Sequence, residues 1–196
     1  MKIKFILCSA ALLLCAKLSA FAVVDLGDVT SGTPYDRYMT PVRQVFGGIH
    51  GEGASKESVE ALMRQGRAFR YSHSDNTDLA KYSPAQPEQT AARHAGDCKD
   101  KALWLIDQMH DASARFVIGK FKRGANVSHA WVMSQHEGRW WILDCTMNSS
   151  PIAADRAGEN DYVPLYSFGK SVAYRHTAKA GLVADVAGKS KTPARV

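Results

Sequence analysis

The stretch from Asp97 to Cys145 limits the fold more than any other part of this 196-residue chain. It opens as a helix. Ala102, Leu105, Ile106 and Met109 recur at i, i+3, i+4 and i+7, a single apolar stripe facing a core. Asp97 has the chemistry of an N-cap, which puts Cys98 in the first helical turn. Three strands follow at once, over Arg115 to Lys122, Ser128 to Gln135 and Trp140 to Cys145. Their separators are Gly124-Ala125-Asn126 and His136-Glu137-Gly138-Arg139. A further strand is expected over Tyr162 to Phe168 and another around Ser171 to Arg175.

Upstream, Ser55 can cap a helix running to Tyr71, with Val59, Leu62, Met63 and Phe69 on one face and Gly66 weakening it. Residues 72–96 read as a polar loop with a short helix near Glu88 to Arg93. Residues 23–54, broken by Pro34, Pro41 and Gly47-Gly48, read as an irregular N-terminal arm. The domain proper is expected over residues 55–175, and residues 176–196 as a flexible basic tail poor in large apolar side chains.

Residues 1–22 read as an export signal. Lys2 and Lys4 are its basic start, Phe5 to Ala16 its apolar run, and Ala20-Phe21-Ala22 its cleavage pattern. Lys17 interrupts the run before the roughly 18 apolar residues that a membrane span needs. Leu13 and Leu14 are too bulky to precede a lipid-bearing Cys15. An exported protein, periplasmic or secreted and without a transmembrane span in its mature chain, is therefore expected. Cys8 and Cys15 leave with the signal, so Cys98 and Cys145 remain.

The formal charge of +6 invites nucleic acid as a partner, but its placement does not support that. Of 25 Lys and Arg, Lys2, Lys4 and Lys17 lie in the signal. Another five lie from Arg175 onward, against Asp185 alone. The body between is one charge short of neutral, and no nucleic-acid partner is expected.

Chemistry concentrates on three residues. Cys98 at a helix start meets unpaired backbone N–H groups and the helix dipole, which favour a thiolate and offer an oxyanion donor. Asp97 opposes this by its own charge, so a basic partner is needed. His129 and Asp144 lie on successive strands. A two- or four-residue loop between those strands pairs positions summing to 275, which sets Trp131 opposite Asp144. His129 is then the diagonal neighbour on the same face. A thiol, a base and an orienting carboxylate result. Trp131 and Trp140 fall on that face and are expected to wall a cleft. Cys145 points the other way and is expected to be structural, not disulfide-bonded to Cys98. No spacing of metal ligands stands out. His50, His73, His94, His110, His136 and His176 show no partner pattern.

Gly96-Asp97-Cys98-Lys99-Asp100-Lys101-Ala102 resembles the G-D-C-x-D-x-A signature of the transglutaminase-like superfamily. His129 to Val132 and Trp140 to Asp144 are similar to its H-A-W-V and W-x-(I/L)-L-D strands. Pro87 to Thr90 resembles its P-x-x-T element, and Tyr162 to Phe168 a segment of bacterial members. The resemblance covers roughly Pro87 to Phe168. It implies an α+β, papain-like core in which the nucleophile helix packs on an antiparallel β-sheet. It further implies Cys98 as nucleophile, His129 as base and Asp144 as orienter, acting on amide bonds of a protein or peptide substrate, with the cell envelope as its setting. Bacterial exported members look more like cysteine peptidases or amidases. A cross-linking transglutaminase and a non-catalytic envelope-binding module are the alternatives. Relatives carry a Trp before P-x-x-T as an oxyanion donor. This chain has none there, leaving the Cys98 backbone with Tyr82 or Gln86. No cofactor is implied, though some peptidase relatives bind calcium, for which Asp97 and Asp100 would be the acids.

Overall fold

The computed structural model describes residues 25–51, 53–75, 77–158 and 160–177. The expected signal and most of the expected tail lie outside these residues. Among the described residues five α-helices and nine strands run in the order β1 (Asp28–Thr30), α1 (Thr40–Gly48), α2 (Lys56–Ala68), β2 (Arg70–Tyr71), α3 (Asp78–Tyr82), α4 (Pro87–Arg93), β3 (Ala95–Gly96), α5 (Cys98–Met109), β4 (Arg115–Phe121), β5 (His129–His136), β6 (Arg139–Leu143), β7 (Ile152–Ala153), β8 (Tyr162–Phe168) and β9 (Ala173–Arg175). The class is α+β, as expected.

Seven strands form one antiparallel sheet in the order β1-β9-β8-β4-β5-β6-β7. The β5–β6 hairpin turns on Glu137 and Gly138, with φ of 51° and 72°. A two-residue turn with both central residues at positive φ matches the twist of the flanking strands. The register follows: Val132 faces Leu143 and Ser134 faces Trp141, pairs that sum to 275 as the loop length requires.

Helix α5 packs against this sheet and is itself enclosed by α1, α2 and α4. The sequence marks only one stripe for burial. In the structure Leu103 and Trp104 are buried along with Ala102, Leu105, Ile106 and Met109, because helices cover the faces the sheet leaves open. Gly66 lets α2 approach α5. A Cβ there would stand 2.8 Å from Cys145 Sγ and 2.9 Å from the Trp104 ring. The glycine that weakens the helix by propensity is a packing requirement.

Three expectations change. The described part of the expected arm over residues 23–54 is not irregular: Met39, Val42, Phe46 and Ile49 are buried in the main core, and β1 closes one sheet edge. Short apolar spacing interrupted by Pro41 conceals this helix, since proline near an N-terminus begins a helix as readily as it ends one. Helix α2 stops at Ala68, and Tyr71 belongs to a two-stranded parallel pair in which it faces Gly96. The tail is anchored at its start. His176 is buried, with Nε2 2.9 Å from Ser167 Oγ and Nδ1 3.2 Å from the Asp25 carbonyl.

Candidate active site

Asp97 caps α5 in a reciprocal box. Its carboxylate accepts from Lys99 N and Asp100 N, while Asp100 Oδ2 accepts from Asp97 N at 3.2 Å. Asp100 Oδ1 also accepts from Ala85 N at 2.9 Å, tying the loop before α4 to the helix start. Burial, then the neighbouring Asp97, pushes the Asp100 carboxyl above its ordinary value. The basic partner that two acids demand is Lys99. Its ammonium is almost enclosed and bonds Asp97 Oδ2 and Ser74 Oγ, with Asp100 Oδ1 at 3.5 Å. A buried ammonium is tolerated because carboxylates surround it. Cys98 is half-buried at the helix's first position, between these paired charges.

His129 opens β5 and Asp144 stands one residue beyond β6, so both lie at the end of the hairpin away from its turn. His129 Nε2 lies 2.7 Å from Asp144 Oδ2. Cys98 also acts on this imidazole, and with Nε2 engaged by Asp144 the ring's other nitrogen is Nδ1. Asp144 is fully satisfied. Oδ1 accepts from Thr146 N at 3.1 Å and Met147 N at 3.2 Å, and Oδ2 also accepts from Tyr162 Oη at 2.9 Å. Asn148 Nδ2 in turn donates to Tyr162 Oη at 2.8 Å. Burial pulls the His129 pKa down, but the hydrogen bonds and charges of Asp144 and Cys98 outweigh it and push it up to about 9. Tyr162, desolvated and bound to Asp144, is raised and stays a donor.

The structure thus pairs His129 with Asp144, the two strand residues that the register sets on one face. It gives the other expected residues different contacts. Tyr82 packs its ring against Tyr35 and Tyr38, and Gln86 donates its amide to Gln44 Oε1 at 2.9 Å. Trp131 is buried with its ring stacked on His129, so it is a floor under the imidazole and not a cleft wall. Trp140 pairs with Gln135 near the turn, carries the Arg115 guanidinium on its ring, and does not border the site. Its alternation is right, but its distance along the strand is too great. Cys145 lies in the core against Gly66 and Trp104, unbonded to Cys98, and burial pushes its thiol up to about 12. Sequence reasoning misses Lys99, Ser74 and Tyr162. Only Lys99 has a local signal, its place between two acids.

A helix opening on a cysteine and packed on an antiparallel sheet that presents a histidine and an aspartate is the transglutaminase-like arrangement that the sequence motifs resemble. No protein-family model matches the chain, and no curated protein matches it. Solved structures similar to it include Legionella pneumophila LapG, at 17% identity over 74% of this chain and 81% of that one, with a TM-score of 0.49. Calcium-bound LapG is 18% identical over 79% of this chain and 92% of that one, again at 0.49. A Cytophaga hutchinsonii protein described as a candidate cysteine protease is 20% identical over 76% of this chain but 45% of that one, at 0.41. At these TM-scores the overlap is partial and establishes no activity. Among the described residues no helix is long and apolar enough to cross a membrane, and no group of three or more His, Cys, Asp or Glu could hold a metal ion.

Proposed function

We propose that this chain is an exported thiol hydrolase, a cysteine peptidase or amidase of transglutaminase-like type, periplasmic or secreted, acting on a protein or peptide substrate. The observation that carries it is the imidazole of His129 held through Nε2 by a buried aspartate, its other nitrogen left for a half-buried thiol at a helix N-terminus. In this reading Cys98 Sγ attacks an amide carbonyl while backbone N–H groups at the start of α5 receive the oxyanion. His129 gives its proton to the departing amine, leaving a thioester. It then takes a proton from water, which attacks the thioester and frees the acid. Asp144 fixes the ring and stabilises the imidazolium throughout.

The two acids that the resemblance would give to calcium, Asp97 and Asp100, are already engaged. LapG has been solved both calcium-bound and after EGTA treatment. Here the Lys99 ammonium already bonds Asp97 and pairs with Asp100.

Iodoacetamide labelling near pH 6, mapped by mass spectrometry, tests the proposal. Cys98 should be alkylated and Cys145 spared, and His129→Ala should abolish the preference. Equal labelling of the two cysteines, or none, would count decisively against it.

A further inference from the structure

Six large apolar side chains are exposed among the described residues: Leu26, Val29, Tyr71, Leu79, Val127 and Met147. Leu26 and Val29 lie along β1 at the sheet edge, Tyr71 in β2 and Leu79 in α3. Val127 and Met147 share one place, the open end of the β5–β6 hairpin, where His129 meets Asp144. Val127 is 75% exposed two residues before His129, and Met147 is 43% exposed three residues after Asp144. Met147 is fixed there, since its N–H donates to Asp144 Oδ1 and to the Asp144 carbonyl, each at 3.2 Å. The loop that carries Val127 is tied down where Lys120 Nζ donates to the Asn126 carbonyl at 3.1 Å. The half-buried ring of Phe121 stands 5.8 Å from the His129 imidazole and adds apolar surface to the same end. Scattered apolar residues on a surface are ordinary, but apolar side chains gathered about a polar reactive pair mark a binding surface.

We propose that Val127 and Met147 set specificity on the leaving side of the scissile amide, where they take an apolar side chain of the residue that departs as the amine. This deepens the reading of Cys98 as the nucleophile and rests on it. The departing nitrogen receives its proton from His129, so the residue bearing that nitrogen lies over the His129–Asp144 end of the site while the acyl part stays on Cys98. An aliphatic side chain set against Val127 and Met147 leaves water and covers two side chains that are otherwise wet. A polar side chain in that place loses hydration. Asp144 offers it no hydrogen bond in return, because both of its oxygens are occupied.

Transfer in the reverse sense reads the same subsite, because an amine that attacks the thioester occupies the place from which one departs. In the full chain, p-nitrophenyl acetate acetylates Cys98 and releases p-nitrophenol, and the acetyl group is then offered leucinamide or glutaminamide. The amine nitrogen forms the new amide bond as the C–S bond breaks, its proton passes to His129, and the thiolate is restored. N-acetyl-leucinamide should form about tenfold faster than N-acetyl-glutaminamide at equal concentrations, the worth of a partly buried aliphatic side chain. Both amides carry the same charge, so the exposed Lys122 and Arg123 of the loop before Val127 do not decide between them. Met147→Ser and Val127→Ser should each lower that ratio by about threefold. A general loss of activity or of folded protein slows both transfers alike and leaves the ratio where it was. Equal transfer to the two amides, or none to leucinamide, overturns the proposal. So does a ratio kept in both variants. Failure of p-nitrophenyl acetate to acetylate Cys98 sinks the nucleophile reading itself, a different outcome.

Discussion

Strand β5 carries a histidine beside an aspartate at each end, and the two ends are built differently. At its start His129 meets Asp144 at 2.7 Å through Nε2 and leaves its other nitrogen for Cys98. At its finish His136 Nε2 lies 3.1 Å from Ser134 Oγ and 3.8 Å from Asp111 Oδ2. The second trio has the composition of a serine triad. Its geometry is wrong, because one ring nitrogen faces both partners and Ser134 Oγ donates directly to Asp111. Ser134 is also fully buried, beyond the reach of a substrate. A base must face its nucleophile with one nitrogen and its orienter with the other. The Asp111 cluster instead ties the end of α5 to the sheet, with Ser113 N and Oγ completing the carboxylate at 2.7 and 3.0 Å.

Paired substitutions put that contrast at risk. Asp144→Asn should cost the most activity. An amide donates where the carboxylate accepts, so His129 loses its orientation, and acetylation of Cys98 should fall by about 10² to 10⁴. Asp111→Asn should leave acetylation within about twofold and lower the urea midpoint, the loss being about 1–3 kcal/mol for a buried cluster left short of an acceptor. If the two variants lose activity alike, the distinction between the ends of β5 fails.

The ionisation of His129 supplies the next test. Its folded pKa of about 9 lies above an unfolded value of roughly 6.5. A raised value means that the charged ring stabilises the fold. That stability is fully present below about pH 6.5 and is lost as pH rises through 9. Urea midpoints of wild type and His129→Gln should therefore converge between those values. The His129 NMR titration should drop well below 9 in Asp144→Asn, and an unchanged midpoint would mean that the carboxylate does not govern the ring. The smallest effect is expected from Tyr162→Phe. It removes one of two donors on Asp144 Oδ2 and leaves the Asn148 amide without its acceptor, so acetylation should slow only several-fold and stability fall by about 1 kcal/mol. A loss as large as that of Asp144→Asn would make Tyr162 part of the machinery and not its support.

The two halves of the site differed in how far they could be read before the structure. His129 and Asp144 sit on neighbouring strands joined by two residues, so alternation and loop parity alone place them on one face. The nucleophile's surroundings come from further away. Ser74 lies 25 residues before Lys99, in what reads as a polar loop. Tyr82 and Gln86 were reasonable oxyanion donors by their sequence position, and only the packing of Tyr35 and Tyr38 and the reach of Gln44 removed them. Trp140 shows the limit of alternation, which decides a face but not a distance along it.

The sequence by itself determines the helix that opens on Cys98, the register that joins His129 to Asp144, and the separation of Cys145 from both. Each depends on spacings of a few residues, where caps, turns and strand parity act locally. Tertiary structure alone decides that the segment before Ser55 closes the core and that Lys99 is buried between carboxylates. Those outcomes depend on which distant surfaces come to cover α5. That is a matter of packing among elements, and no local pattern along the chain encodes it.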